Sequence, residues 1–185
     1  MKVNRGKNFE NEIRKAFSKH SNISLDRFPD PMAGYAGIRN ICDFGVYRYP
    51  FQYYFECKAI SGNTLNFTSS ITKDQWAGLI EKSKIPGVIA GVIVWFIDYD
   101  ITVFVPIEEL KRIRDAGAKS LNIKYLATGN PLNDKEVLNF KLPARKKRVL
   151  FEYDAETFLD NIYNWGSKKW GKEVVQSWRK YLNQH

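Results

Sequence analysis

Cys42-Asp43-Phe44, the turn Arg48-Tyr49-Pro50 and Phe55-Glu56-Cys57-Lys58 decide how the rest of the chain is read. Asp43, Glu56 and Lys58 stand there in largely apolar, β-prone sequence. Side chains alternate along a strand, so Glu56 and Lys58 share a face and Cys57 points to the other. Residues 41–48 and 52–60 read as the two strands of a hairpin. Thirteen residues separate Asp43 from Glu56, which suits two short strands and a turn. Such a pairing carries Asp43 to the same edge as Glu56. The literal Pro29-Asp30 pair is rejected as the site aspartate, because Pro31 follows it and no strand pattern surrounds it. The plain structural alternative is an ion pair on an exposed sheet face. Glu56 and Lys58 are same-strand neighbours, however, and Tyr54, Phe55 and Ile60 around them imply partial burial. Buried charge without a function is expensive.

An Asp followed on the next strand by Glu-X-Lys reads as a metal-dependent phosphodiesterase site. Hydrolysis of a phosphodiester needs an in-line water, neutralised phosphate charge and a stabilised leaving oxygen. Hard divalent cations provide these and prefer carboxylate oxygens. Asp43 and Glu56 are the first candidates to hold them, the Cys57 carbonyl adds a backbone oxygen, and Lys58 orients or helps deprotonate the attacking water. Other chemistries have little support. The two histidines, His20 and His185, lie at a helix end and at the C-terminus, and no general base sits beside a nucleophile. Two cysteines at no ligand spacing speak against zinc, and no Gly-rich loop follows a strand.

Upstream, Asn4 caps a helix over 5–19 with an apolar stripe of Phe9, Ile13, Ala16 and Phe17. Glu10 lies at the edge of that stripe, where it can pair with Arg14 one turn on. Residues 24–40 contain two prolines, two glycines and no periodicity, so they are expected to form a loop. Arg27, Phe28, Tyr35 and Arg39 in that loop suit phosphate pairing and base stacking, or an ordinary surface.

Downstream, Ser61-Gly62-Asn63 breaks the strand, and Thr72-Lys73-Asp74-Gln75 reads as a capping box opening a helix over 73–84. The run 88–97 is almost unbroken Val, Ile, Ala, Trp and Phe, the mark of a strand buried on both faces at the centre of a sheet. Residues 101–105 read as a fourth strand and 107–114 as a short helix. Residues 119–139 are mostly polar and read as irregular, with a turn at Gly129-Asn130-Pro131. Arg145-Lys146-Lys147-Arg148 is the densest basic run, either a solvated face or a phosphate contact. Two helices are expected after it, over 154–163 and 168–182. The second places Trp170, Val174, Trp178, Tyr181 and Leu182 at helical spacing.

The chain of 185 residues is long enough for one domain with a sizeable core, expected as a centre at about 1–116 and an extension at about 117–185. Its formal net charge of +9 points to a polyanionic partner. No 18-residue apolar run and no signal peptide are present, since the N-terminus is polar. Two cysteines in core strands fit a reducing compartment. A cytoplasmic protein away from the membrane is expected.

The stretch resembles the PD-(D/E)XK nuclease superfamily, with Cys42-Asp43 in place of Pro-Asp. It is most similar to RecU-type Holliday-junction resolvases and their phage relatives. Arg5-Gly6-Lys7-Asn8-Phe9-Glu10, Asp43, Phe55-Glu56-Cys57-Lys58, Asn66-Phe67 and Asp74-Gln75 carry the resemblance, over roughly the first two thirds of the chain. The resemblance implies an α/β fold with a central mixed sheet flanked by helices, here with a helical C-terminal extension. It implies that Glu10 joins Asp43, Glu56 and Cys57 at Mg²⁺, for which Mn²⁺ can substitute, and that Gln75 stands beside the metal. It also implies a homodimer acting on DNA in recombination and repair, cutting branched DNA to leave 5′-phosphates. Arg5, Lys7, Arg27, Arg39, Arg145, Lys146, Lys147 and Arg148 are the candidate DNA contacts. The 24–40 segment is shorter than the stalk that enters the junction in that family. Two alternatives stay open: a related endonuclease acting on other DNA, and a DNA-binding protein on an inactive nuclease fold.

Overall fold

The structure, a computed structural model, describes residues 4–28, 40–128, 137–147 and 151–182, from 172 onward as backbone only. Its elements in chain order are helix α1 (Arg5–Phe17), strands β1 (Ser24–Arg27), β2 (Phe44–Arg48), β3 (Phe51–Ile60) and β4 (Thr64–Asn66), and helices α2 (Phe67–Ser70) and α3 (Lys73–Ser83). Strands β5 (Val88–Phe96) and β6 (Ile101–Pro106) are followed by α4 (Ile107–Asp115), β7 (Ser120–Asn122) and α5 (Tyr125–Thr128). Strands β8 (Phe140–Lys141), β9 (Ala144–Lys146) and β10 (Phe151–Tyr153) precede the long helix α6 (Ala155–Leu182).

The main sheet has six strands in the order β1-β2-β3-β5-β6-β8. β3 and β5 run parallel and every other neighbour antiparallel, so the sheet is mixed. A parallel pair needs a crossover, and β4, α2 and α3 supply it. β5 is buried at every residue, as its apolar run predicts, and lies between β3 and β6. The alternation along β3 and β5 splits the core in two. Phe51, Tyr53, Phe55 and Cys57 of β3, with Ile89, Ile93 and Trp95 of β5, face α1 and the first half of α6. Ala90, Val92, Val94 and Phe96 face the opposite side, against α3 and α4. Glu56 pairs in register with Val92 and Lys58 with Val94, so both project to the α3 side.

Four expectations are corrected. Residues 24–27 form an edge strand, Ser24 opposite Tyr47 and Arg27 opposite Phe44. Its order comes from backbone bonds to β2 rather than from an apolar pattern, since three of its four residues are exposed. β2 starts at Phe44 instead of 41: Asp43 keeps single backbone bonds to Phe55 and Phe28 but has no partner in the β2–β3 register. Within 119–139, Ser120–Asn122 pairs with β4, Tyr125–Thr128 is helical, and β8 then adds to the sheet edge beside β6. The two expected C-terminal helices are a single one. Between the two expected helices, a Cβ at Gly166 would come within 2.7 Å of Ile89 Cδ1, so the glycine serves close packing. Tyr35, Arg39, the turn at 129–131, Arg148 and the side chains of Val174, Trp178, Tyr181 and Leu182 lie outside the described residues. Among the described residues no helix is long and apolar enough to cross a membrane.

Candidate metal and nucleic-acid site

The site forms where β2 stops and β3 continues. Phe44 opposite Phe55 is the inner limit of the β2–β3 register, which leaves β3 from Glu56 onward without a β2 partner. Asp43 fills that opening and is fixed on three sides. Its N–H donates to the Phe55 carbonyl at 3.1 Å, and its own carbonyl accepts from Phe28 N–H at 2.9 Å. Its Oδ2 accepts from the Cys57 N–H at 2.7 Å. The N–H and C=O of one strand residue point to the same side, so the Cys57 carbonyl opens on the edge of β3 that Asp43 flanks. Asp43, Glu56 and the Cys57 backbone therefore converge, with their positions set by the sheet.

Glu56 is 2% exposed, far below what an ionisable side chain tolerates without partners. Its Oε1 receives Lys58 Nζ at 2.6 Å and Gln75 Nε2 at 2.7 Å. Its Oε2 is buried and has no hydrogen-bond partner among the described residues. Burial, then the nearby charge of Asp43, pushes the Glu56 carboxyl up to about 7, against the pull of Lys58 and Gln75. Two negative groups with one oxygen unmet are an arrangement that a cation would complete.

Gln75 joins two structures. Thr72 caps α3, and the reciprocal bonds of the capping box are both present: Gln75 N–H to Thr72 Oγ1 at 3.2 Å and Thr72 N–H to Gln75 Oε1 at 3.0 Å. The other end of the same amide holds Glu56. Capping and support of the site were alternatives from the sequence; the two ends of the amide perform one each.

Glu10 approaches from the α1 side of the sheet. Its Oε2 stands 3.4 Å from Arg27 Nη2 on the edge strand, both side chains partly exposed. Among the described residues no group of three or more His, Cys, Asp and Glu side chains could hold a metal ion. The structure thus brings Asp43 and Glu56 together with Lys58, Gln75 and the Cys57 backbone, while Glu10 pairs elsewhere. Reading along the sequence missed the Arg27 pairing, since nothing in either local pattern links an edge strand to a helix seventeen residues away.

The thiols take no part as ions. Burial pushes Cys42 up to about 12 and raises Cys57 well above its ordinary value, the charges of Glu56 and Asp43 adding to both. Protonated thiols are poor nucleophiles and poor ligands.

The donor set matches a hard divalent cation: two carboxylates, one with a buried unpartnered oxygen, and a backbone carbonyl. Asp43, Glu56 through Oε2 and the Cys57 carbonyl are the groups that would hold Mg²⁺.

The candidate DNA contacts divide. Arg5 and Lys7 are exposed in the first turn of α1. Arg145, Lys146 and Lys147 are exposed on or just after β9. Lys146 pairs with Asp100, and Lys147 with Glu152 at 3.2 Å. The basic run is therefore partly neutralised within the protein.

The chain matches no protein-family model and no curated protein sequence. In structure it is similar to Hjc, a Holliday junction resolvase of the hyperthermophilic archaeon Archaeoglobus fulgidus. The similarity covers 64% of this chain and 89% of that one, at 18% sequence identity and a TM-score of 0.47.

Proposed function

We propose that the protein is a Mg²⁺-dependent DNA endonuclease of the PD-(D/E)XK type that cuts branched DNA as a homodimer and leaves 5′-phosphates. One observation carries the reading: Glu56, buried beside Asp43, has Oε1 held by Lys58 and Gln75 and Oε2 without a partner among the described residues. A structural ion pair needs no such buried, unpartnered oxygen.

Bound divalent metal supplies charge neutralisation at the phosphate and a more acidic water. The chain does the rest. Asp43 and Glu56 are pre-positioned by backbone bonds and by Gln75, so little reorganisation accompanies binding. Lys58 sits 2.6 Å from Glu56 with about a quarter of its side chain exposed, so its ammonium can orient a water and meet phosphate charge at once. The formal charge of +9 supports a nucleic-acid partner through phosphate contacts. A four-way junction has two-fold symmetry and needs two opposed cuts, which a C2 dimer with one site per subunit would supply.

The same hydrolysis on other DNA is the second reading. β1 takes residues 24–27 into the sheet and shortens the segment that could enter a branch point. Incubating the protein with a synthetic four-way junction, a matched duplex and a single strand, each with Mg²⁺ or Ca²⁺, tests both. Paired Mg²⁺-dependent cuts in the junction alone support the first reading. Equal cutting of duplex and junction supports the second, and no cutting of any DNA contradicts both.

A further inference from the structure

Glu10 and Arg27 meet where the α1 layer and the sheet edge come together. Arg27 is placed there by register: it lies opposite Phe44, and the next residue, Phe28, donates its N–H to the Asp43 carbonyl. Arg27 thus stands one residue before the backbone bond that ties the edge strand to Asp43. The guanidinium is 39% exposed and holds Glu10 through a loose 3.4 Å contact. Carboxylates crowded together without a cation repel one another, and among the described residues Arg27 is the cation paired with Glu10.

We propose that Arg27 is a positioning residue that keeps Glu10 apart from Asp43 and Glu56 until a DNA phosphate takes the guanidinium, so that DNA binding completes the carboxylate set. The inference rests on the nuclease reading above. A phosphate offers arginine two oxygens in a matched fork, whereas Glu10 offers one distant contact, so phosphate wins the exchange. Glu10 is already close enough to β3 for its charge to reach the Cys57 thiol, as those of Asp43 and Glu56 do. The device ties metal affinity to substrate: a site short of one carboxylate in the free protein becomes complete on DNA. By linkage the metal must then tighten DNA binding by the same factor.

Calorimetric titration of Ca²⁺ without DNA into wild type, Arg27→Gln, Glu10→Gln and the double variant separates this device from a simple charge effect. Arg27→Gln should tighten Ca²⁺ about two- to five-fold, the scale of a half-exposed ion pair. In the Glu10→Gln background the same change should have almost no effect. Adding a short duplex should tighten Ca²⁺ for wild type and much less for Arg27→Gln, while Arg27→Lys, which keeps charge but loses the fork, should fall between. Equal tightening with and without Glu10 would overturn the proposal, since removal of positive charge near Asp43 would then be the whole cause. Ca²⁺ binding that needs Asp43 but shows no coupling between residues 10 and 27 overturns this device alone. Wild type that binds no Ca²⁺, or Asp43→Asn that binds as wild type does, removes the nuclease reading and this device with it.

Discussion

Strands β3 and β5 lie side by side in register at the middle of the sheet, yet one carries Glu56-Cys57-Lys58 where the other carries Val92-Ile93-Val94. Val92, Ile93 and Val94 are fully buried, each contributing roughly 1.5–3 kcal/mol by burial. Glu56 is nearly as buried, and a charge in its place costs several kcal/mol unless partners compensate. What separates the two strands is their neighbours. β5 is flanked on both sides, by β3 and β6, whereas β3 outlives β2 at Phe55 and turns that free half toward Asp43. The apolar strand provides the dry, rigid wall; the strand beside it uses that wall to hold a carboxylate away from water.

The largest effects expected from this contrast are catalytic. Asp43→Asn and Lys58→Ala should each lower Mg²⁺-dependent cleavage at least about 10³-fold, on the scale of a lost transition-state contact. DNA affinity should change little, because it comes from many phosphate contacts. Single-turnover cleavage and a binding isotherm on the same preparations check both halves, and cleavage and affinity falling together would point to misfolding.

Placing a carboxylate on the wrong strand sharpens the comparison. Val92→Glu buries a charge beside Glu56 with no Asp43, Lys58 or Gln75 built to receive it. Denaturant unfolding should register a loss of about 3–5 kcal/mol. A loss below about 1 kcal/mol would mean that this layer accepts charge generally and that Glu56 needs no special support.

The pH dependence of stability follows from the raised Glu56 carboxyl. Its folded value of about 7 lies above the ordinary 4.5, so the folded state holds the proton more tightly than the unfolded chain. That contribution is complete below about pH 4.5 and is lost as pH rises through about 7. Without metal, wild type should therefore lose up to about 3 kcal/mol relative to Glu56→Gln between pH 4.5 and 8. Parallel pH–stability curves for the two proteins would contradict the burial argument.

The smallest effect is expected at Gln75. Gln75→Ala removes one bond to Glu56 and half of the capping box, and should slow cleavage about 10-fold with a stability loss of about 1 kcal/mol. Gln75→Glu should restore the cap but not the site, since it replaces an N–H donor with a second carboxylate.

Much of the sheet was legible because its signals are local. The apolar run at 88–97 gave β5, and alternation placed Glu56 and Lys58 on one face. The edge strand Ser24–Arg27 was not legible, because an exposed strand is specified by the partner's free backbone groups rather than by its own side chains. The continuity of α6 was hidden for a related reason: Gly166 packs against Phe51 and Ile89, a contact that no local pattern shows. At the site, the spacing from Asp43 to Glu56 was enough to bring those residues together. The pairing of Glu10 with Arg27 was not available, since it depends on how a helix and an edge strand meet across the sheet.

Glu56 Oε2, buried and without a hydrogen-bond partner among the described residues, is the proposed cation ligand on which the nuclease reading rests. Titrating Mn²⁺ at pH 8 into wild type and Glu56→Gln without DNA, and following the free-ion signal by electron paramagnetic resonance, tests this most directly. Saturable Mn²⁺ uptake by wild type that is lost in Glu56→Gln is the result predicted. Uptake by neither protein, or equal uptake by both, would contradict it.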